Sequence, residues 1–379
     1  MGSRWRAGFV CIGVCLGACD GPSRGAALEH RSVASASAAP RPLRTAGLEP
    51  HSRVAVTPPA ICDAVRERVA PLLAGVGRSA EGGLFVGVEV GTCGALLAPS
   101  AHPLRLASLT KTVVAMAALR VFAARQLDLD RGVEAWLPDV VEARGRSLRQ
   151  LLSHTSGLPT YDRADGFWSA PNPRFSPDEL LGFARSLPHR KAPAPFAYAN
   201  TNYVIVGMLL ERIEGKPIAG ILHAFLEPLG LGGIHPEQPG EAVEPTFDEG
   251  GHRTSVHARP SMLFAAGDLV APLADVVRWT RIWGRGELVP KTMEAAWLTP
   301  TPTREGGDVS YGLGVFLQTR KELGPVRSHA GNLAGLHAYA AHFPDLEATV
   351  VAIATRDGLD PSRTALDAAQ RIARARRGE

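Results

Sequence analysis

One almost wholly apolar run, residues 104–127, limits most strongly what this chain can fold into. It reads LRLASLTKTVVAMAALRVFAARQL and leaves almost no polar stripe after Lys111, which is typical of a helix buried on most sides. A helix here places Ser108 and Lys111, three residues apart, on one face near its first turn. We therefore expect a core helix that carries a serine and a lysine side by side.

The predicted serine–lysine pair is suited to nucleophilic catalysis. Burial disfavours the ammonium form of Lys111 and lowers its pKa, and the N-terminus of a helix favours negative charge developing on Ser108. Serine beside a near-neutral amine has a proton acceptor and can attack a carbonyl group. The alternative is a helix-capping serine next to a surface lysine whose stem covers apolar residues.

The choice of lysine at position 111 favours the catalytic interpretation. The chain has 41 Lys plus Arg, of which five are lysines and 36 are arginines. Of these two residue types only lysine can lose its proton in a protein. A chain that uses arginine for nearly all its positive charge has therefore placed at this position the residue that can become neutral.

The N-terminus predicts export. Residues 1–18 combine Arg4 and Arg6 with an apolar stretch too short to span a membrane, as in a secretory signal peptide. The stretch ends in Leu-Gly-Ala-Cys, which resembles the lipobox of bacterial lipoproteins and predicts lipidation of Cys19. The alternative is an ordinary signal peptide with Cys19 as an unused thiol. Residues 19–59, rich in Ala, Ser, Pro, Arg and Gly, predict a disordered tether, so we expect a membrane-anchored protein facing the periplasm or cell surface.

Residues 60–379 predict one two-lobed unit around a shared cleft. The net charge is only +4 and the arginines are scattered among acids, so no nucleic-acid partner is expected. Cys62 and Cys93 are too few and too far apart for a metal site, and we expect neither metal nor cofactor. In an exported protein these two cysteines either form a disulfide or remain free thiols.

Strand signals at both ends of this unit predict the fold class. One strand is expected at 84–90, and the late strand-like runs are 311–319, 326–330, 337–343 and 348–355. Helices are expected at 62–75 and 361–376 and through most of 130–300. The plan is α+β: an antiparallel sheet built from both chain ends, flanked by helices, with an inserted, mostly helical lobe. A cleft between the lobes is the expected place for a site.

Three short motifs occur in a recognisable order. Ser108-Leu109-Thr110-Lys111 is followed by Tyr198-Ala199-Asn200 and then by His329-Ala330-Gly331. Together they resemble the motif set of the serine β-lactamase and penicillin-binding-protein superfamily. The resemblance is closest to the branch of class C β-lactamases, D-alanyl-D-alanine carboxypeptidases and related esterases. It spans about residues 60–375, including the run LLSHTSGLP at 151–159.

The resemblance implies the β-lactamase/DD-peptidase fold and a role for each residue of the motifs. Ser108 would be acylated, while Lys111 and Tyr198 share its proton and titrate as a unit. Asn200 would hold Lys111 or the substrate amide.

The same resemblance assigns the oxyanion hole to two backbone N–H groups, those of Ser108 and Asn332. Gly331 would allow an acyl chain to lie close against the strand. His154 would brace its loop without transferring protons. Glu89 and Asp268 have no partner that the sequence identifies.

His329 departs from many relatives, which carry lysine at that position. Because histidine is largely neutral at pH 7, the departure disfavours efficient penicillin hydrolysis. We expect an exported, monomeric serine hydrolase that acts through an acyl-enzyme on an ester or amide. Its candidate substrates are peptidoglycan stem peptides, β-lactams and small esters. The alternative is a penicillin-binding or sensing module of the same fold without efficient turnover.

Overall fold

The structure, a computed structural model, describes residues 56–74, 78–79, 82–100, 102–170, 175–238, 240–242, 246–249, 252–255 and 262–379. The predicted signal peptide, Cys19 and all of the predicted tether before Val56 lie outside the described residues.

The helices and strands are numbered in chain order. The helices are α1 Pro59–Ala74, α2 Thr110–Ala124, α3 Leu148–Leu152, α4 Pro177–Arg185, α5 Asn200–Glu214, α6 Ile218–Leu226, α7 Leu273–Arg285, α8 Glu294–Trp297 and α9 Pro361–Arg377. The strands are β1 Arg78–Ser79, β2 Gly82–Val90, β3 Ala95–Ala98, β4 Leu104–Arg105, β5 His235–Pro236, β6 Thr246–Glu249, β7 His252–Ser255, β8 Leu269–Ala271, β9 Thr301–Pro302, β10 Val309–Tyr311, β11 Phe316–Arg320, β12 Gly324–Leu333, β13 Leu336–Phe343 and β14 Ala348–Ala354.

Both ends of the chain contribute to one large sheet. Among the described residues nine strands pair in the order β1-β2-β14-β13-β12-β11-β10-β9, with β3 beside β2. All of these pairs are antiparallel, and β2 joins β14 with Val86 opposite Ala352. The predicted α+β plan with an antiparallel sheet from both chain ends is confirmed.

Helices cover both faces of this sheet. Helices α1 and α9 pack on one face and α7 packs on the other, against β2, β13 and β14. Every residue of β14, ATVVAIA, is buried, because a central strand covered on both faces has no solvent side. Helix α9 begins as its sequence predicts: the Asp360 side chain accepts the backbone N–H of Arg363 at 3.0 Å, and Pro361 takes the first helical position.

The apolar run forms a core helix that begins later than predicted. Residues Ala107–Ala124 are long and apolar enough to cross a membrane, but 78% of this stretch is buried inside the protein. The helix was predicted from Leu104, whereas α2 starts at Thr110. Its first residues instead pair with β8 as strand β4 and then form a 3-10 turn, Ala107–Leu109.

The middle region, predicted to be a mostly helical lobe, contains α3 to α6 and α8. Helix α7 lies in the same stretch of sequence but packs against the large sheet. This region also carries short strands, since β8 pairs with both β4 and β5, and β6 pairs with β7. The single strand expected at 311–319 is two strands, β10 and β11, separated by residues 312–315. At Gly314, where φ is +81°, an added Cβ would lie 2.5 Å from the Cβ of Ala115.

Cys62 and Cys93 form a disulfide in the structure, with their Cα atoms 5.1 Å apart. Cys62 lies in α1 and Cys93 lies in the turn between β2 and β3. The bond therefore fastens the first helix to the edge of the sheet.

Candidate active site

Ser108 and Lys111 meet as the sequence predicted. The Lys111 Nζ atom lies 2.9 Å from Ser108 Oγ and donates a hydrogen bond to the carbonyl oxygen of Ala266 at 2.6 Å. Lys111 is fully buried, and burial lowers its pKa to about 7, an effect that the nearby Asp162 opposes. At neutral pH a large fraction of the amine is therefore uncharged and can accept the serine proton.

Ser108 lies at a strained turn. Ala107 has φ of +45°, a left-handed conformation that costs energy for any residue except glycine. The turn is held on both sides, because Leu109 N–H donates to Leu106 O at 3.0 Å and Leu106 N–H donates to Leu269 O at 2.8 Å. The strand and the turn thus present Ser108 immediately before α2, half-buried and facing the amine.

Tyr198 lies beside the pair, with Lys111 Nζ 5.2 Å from the centre of its ring. Burial raises the pKa of Tyr198, Ser108 offsets part of that rise, and Asp162 adds to it. Its buried hydroxyl has no partner of regular hydrogen-bond geometry in the described part of the chain. Tyr198 is therefore protonated at neutral pH, and of the two predicted proton carriers Lys111 is the one available to act as a base.

His154 braces the site from behind. Its Nδ1 atom accepts hydrogen bonds from Ala199 N–H at 3.2 Å and from the Asn202 side-chain amide at 2.9 Å. Its ring stacks on that of Tyr198 with centroids 4.2 Å apart. Burial, then the charge of Lys111, hold the pKa of His154 well below its usual value. These contacts fit the predicted bracing role.

Asn200 begins α5 and does not hydrogen-bond Lys111 within the described residues. Its backbone N–H donates to Thr160 Oγ1 at 3.0 Å, and the Thr160 hydroxyl donates in turn to the Asp162 carboxylate. The Asn200 Oδ1 atom is buried and lacks a partner in the part of the chain that the structure describes. Of the two predicted roles, the geometry thus favours contact with a substrate amide.

His329 is not exposed to the cleft as a substrate-binding side chain would be. It is fully buried, and burial, with the charge of Lys111, lowers its pKa to about 3. The Nδ1 atom lies 2.8 Å from Ala330 O and Nε2 lies 2.9 Å from the Tyr311 hydroxyl. Because a carbonyl can only accept, Nδ1 carries the proton and Nε2 accepts from Tyr311. The expected neutral state is found, but the ring supports β12 from inside, which corrects the predicted substrate contact.

Gly331 brings β12 against the serine turn. A Cβ at this position would lie 2.6 Å from Leu106 O and 3.1 Å from Ser108 N. The close approach that Gly331 permits in the structure is to the protein's own turn, and the acyl chain expected along this strand stays a prediction. Asn332 follows Gly331 on β12 and is exposed, and the oxyanion-hole role of its backbone N–H stays a prediction.

A family model described as Beta-lactamase matches residues 94–375, most of the chain. The chain belongs to the beta-lactamase family. The predicted membership of the serine β-lactamase and penicillin-binding-protein superfamily is confirmed, and with it the predicted fold; the family is one of serine hydrolases.

Similar proteins include both an esterase and a penicillin-binding protein. Esterase EstB of Burkholderia gladioli is 30% identical over 201 residues, covering 43% of this chain and 50% of the esterase. Penicillin-binding protein 4* of Bacillus subtilis (strain 168) is 22% identical over 279 residues, covering 66% of this chain and 60% of that protein. The chain thus spans only half to three fifths of the length of these relatives.

A solved structure shares the fold over nearly its whole length. The D-stereospecific amidohydrolase from Streptomyces sp. superposes with a TM-score of 0.68 at 24% identity, covering 83% of this chain and 98% of the amidohydrolase. The similarity extends the fold assignment over most of this beta-lactamase-family protein.

Two acidic residues without a predicted partner have clear surroundings in the structure. Glu89 forms an ion pair with Arg281 at 3.2 Å. Asp268 is half-buried, and removal of its carboxyl group from water raises the pKa of that group to about 8. In the described part of the chain no group of three or more His, Cys, Asp or Glu side chains could hold a metal ion.

Sequence reasoning missed the contributions of Ala266, Asp162 and Asn202. Ala266 acts through its backbone carbonyl, which leaves no side-chain signal. Asp162 follows the recognised LLSHTSGLP run, and Asn202 is the second asparagine of Asn-Thr-Asn. For Asp162 and Asn202, the signal available in the sequence was that each is a polar residue next to a recognised motif.

Proposed function

We propose that this protein is an exported serine hydrolase that cleaves an ester or amide through an acyl-enzyme. The observation that carries the proposal is the 2.9 Å contact between Ser108 Oγ and the buried amine of Lys111, whose pKa is lowered to about 7. A serine in this position transfers its proton to the neutral amine as it attacks, and the amine needs no second base.

The acylation step follows from these positions. Ser108 Oγ bonds to the substrate carbonyl carbon while its proton passes to Lys111. The backbone N–H groups of Ser108 and Asn332 hold the oxyanion of the tetrahedral intermediate. The carbonyl re-forms, the bond to the leaving group breaks, and the leaving group takes the proton through Lys111 and the Tyr198 hydroxyl. Water then attacks the ester of Ser108, which returns the serine hydroxyl and releases the acid.

The neutral, inward-facing His329 favours some substrates over others. A neutral imidazole offers no fixed positive charge to the carboxylate that penicillins carry, so we propose small esters and peptide amides ahead of β-lactams. The names of similar proteins, an esterase, a penicillin-binding protein and a D-stereospecific amidohydrolase, support the same range and add D-amino-acid amides.

The localisation is part of the proposal. A signal peptide at 1–18 and a lipidated Cys19 would anchor a monomeric enzyme to the membrane, facing the periplasm or cell surface. The Cys62–Cys93 disulfide supports export, since such bonds persist in oxidising compartments.

Turnover assays test the proposal. The protein would be incubated with nitrocefin, p-nitrophenyl acetate and a D-Ala-D-Ala peptide, with colour or free D-alanine measured beside the intact-protein mass. We expect turnover of the ester or the peptide that vanishes in Ser108→Ala. A stable adduct without turnover would support the penicillin-binding or sensing alternative, and turnover that persists in Ser108→Ala would contradict the proposed nucleophile.

A further inference from the structure

The amine of Lys111 lies over two aromatic rings. Its Nζ atom is 5.2 Å from the centre of the Tyr198 ring and 5.5 Å from the centre of the Tyr203 ring. Both distances are within the roughly 6 Å over which the face of an aromatic ring attracts a cation. Because the face of a ring is negative, this attraction favours the protonated amine over the neutral one.

Tyr203 meets Lys111 with its ring and not with its hydroxyl. Tyr203 lies in α5, outside the three motifs, and is fully buried. Burial raises the pKa of its hydroxyl, so the side chain stays neutral. The hydroxyl lies beside Gly314, 3.1 Å from the position of an added Cβ, and has no partner of regular hydrogen-bond geometry among the described residues. Tyr203 therefore has no proton to carry between Ser108 and Lys111.

The other groups around the Lys111 amine are mostly neutral. Asp162, in the segment after LLSHTSGLP, supplies a negative charge that favours the ammonium. His154 and His329 also face the amine, but burial holds the pKa of His154 well below its usual value and lowers that of His329 to about 3. Tyr198 is protonated, because burial raises its pKa. One carboxylate and two ring faces thus oppose the cost of burying the ammonium.

We propose that Tyr203 is a positioning residue whose ring face stabilises the ammonium that Lys111 becomes when it takes the proton of Ser108. The inference rests on the proposed function, since it concerns the base of the acyl-enzyme mechanism. A buried amine without such a ring would lose its proton more readily, but it would also be a weaker acceptor for the serine proton. The ring therefore keeps the amine basic although it is removed from water.

Fluorination of the ring tests this role with little change in its size. Fluorine withdraws electron density from the ring face, so each added fluorine weakens the attraction for a cation. The series starts from Tyr203→Phe, which keeps the ring, and continues with mono-, di- and trifluorophenylalanine introduced at position 203. We expect the pKa of Lys111 to fall step by step, by about one unit in all, the size expected for one buried cation–ring contact.

NMR measures the pKa of Lys111 without a substrate. The chain has five lysines and the other four are exposed, so ¹³C-labelled lysine gives few signals, and Lys111→Met assigns the relevant one. The matched control is the same fluorination at Phe343, a fully buried ring in the apolar cluster that includes residues of α9. It should leave the titration unchanged. A pKa of Lys111 that stays constant along the series, or that shifts equally in the control, would overturn the inference.

The pH profile of kcat/KM for p-nitrophenyl acetate is the second measurement. Along the series the midpoint should move to lower pH with Lys111, while the plateau at high pH falls, because a less basic amine accepts the serine proton less well. A ring that only fills space would leave the midpoint in place, and that result would contradict the proposed role. If the NMR series shifts as expected but no ester is turned over, the proposed function fails while the stabilisation of the ammonium by Tyr203 stands.

Discussion

At Lys111 two effects oppose one another. Removal from water disfavours the ammonium, while the carboxylate of Asp162 favours it, and burial dominates. The result is a pKa of about 7, close to where a general base works best at neutral pH. The hydrogen bond to Ala266 O fixes where the amine points, so the same few contacts set both its geometry and its protonation.

The activity should rise with pH through about 7, because only the neutral amine accepts the proton of Ser108 and Lys111 is neutral above its pKa. Asp162→Asn removes a charge that raises this pKa, so the rise should move to lower pH. Measurements of kcat/KM for p-nitrophenyl acetate from pH 5 to 9 check both statements. Asp165→Asn, exposed in the same segment, is the control and should leave the midpoint in place. A midpoint unmoved in Asp162→Asn would refute this account of Lys111.

At the scale of elements, the site is made where β12 meets the turn before α2. Neither element positions Ser108 alone: the turn holds a strained Ala107, and β12 presses against it through Gly331. His329 stiffens β12 from the inner side through Tyr311. The oxyanion hole therefore depends on a backbone-to-backbone approach that only glycine at position 331 allows.

Gly331→Ala adds only one methyl group but should lower the activity strongly. The added Cβ would clash with Leu106 O and crowd Ser108 N, which pushes β12 away from the turn. We expect kcat to fall on the order of a hundredfold, as for loss of one oxyanion-hole donor. Gly182→Ala is the matched control, since Gly182 lies in α4 with nothing within 4 Å of an added Cβ. It should keep full activity and gain about 0.5–1 kcal/mol of stability. Equal kcat in both variants would contradict this view of β12.

Local signals in the sequence were enough for several elements and failed where distant residues decide. Asp360-Pro361 predicted the start of α9, and the helical spacing of Ser108 and Lys111 predicted their contact. The start of α2 could not be read locally, because pairing with β8, far along the chain, converts Leu104–Arg105 into a strand. The inward orientation of the His329 side chain likewise depends on its contact with Tyr311 and on its burial within the sheet. A short motif encodes neither.

At the scale of the molecule, the first helix is tied to the rest by one covalent bond. The Cys62–Cys93 disulfide, with a sequence separation of 31, joins α1 to the β2–β3 turn. Helix α1 packs with α9 on the outer face of the sheet, so the bond supports the layer opposite the site. Loss of the disulfide should lower the stability of the fold more than it lowers the catalytic rate.

Replacing both cysteines by serine should lower the free energy of unfolding by about 3–4 kcal/mol in the loop-entropy model for a loop of this length. Denaturant unfolding of the parent and of the double variant measures the difference. The parent in reducing agent should unfold like the variant, while esterase kcat at 25 °C should change little. Identical unfolding of the oxidised parent and the variant would show that the two thiols do not pair in solution.

The most direct test of the whole account is covalent labelling of Ser108. The protein would be treated at pH 8 with a fluorophosphonate probe, and the adduct located by intact mass and peptide mapping. The account predicts one adduct, on the peptide that contains Ser108, and none in a folded Ser108→Ala variant. Labelling that persists in Ser108→Ala, or an adduct on another residue of the parent, would contradict it.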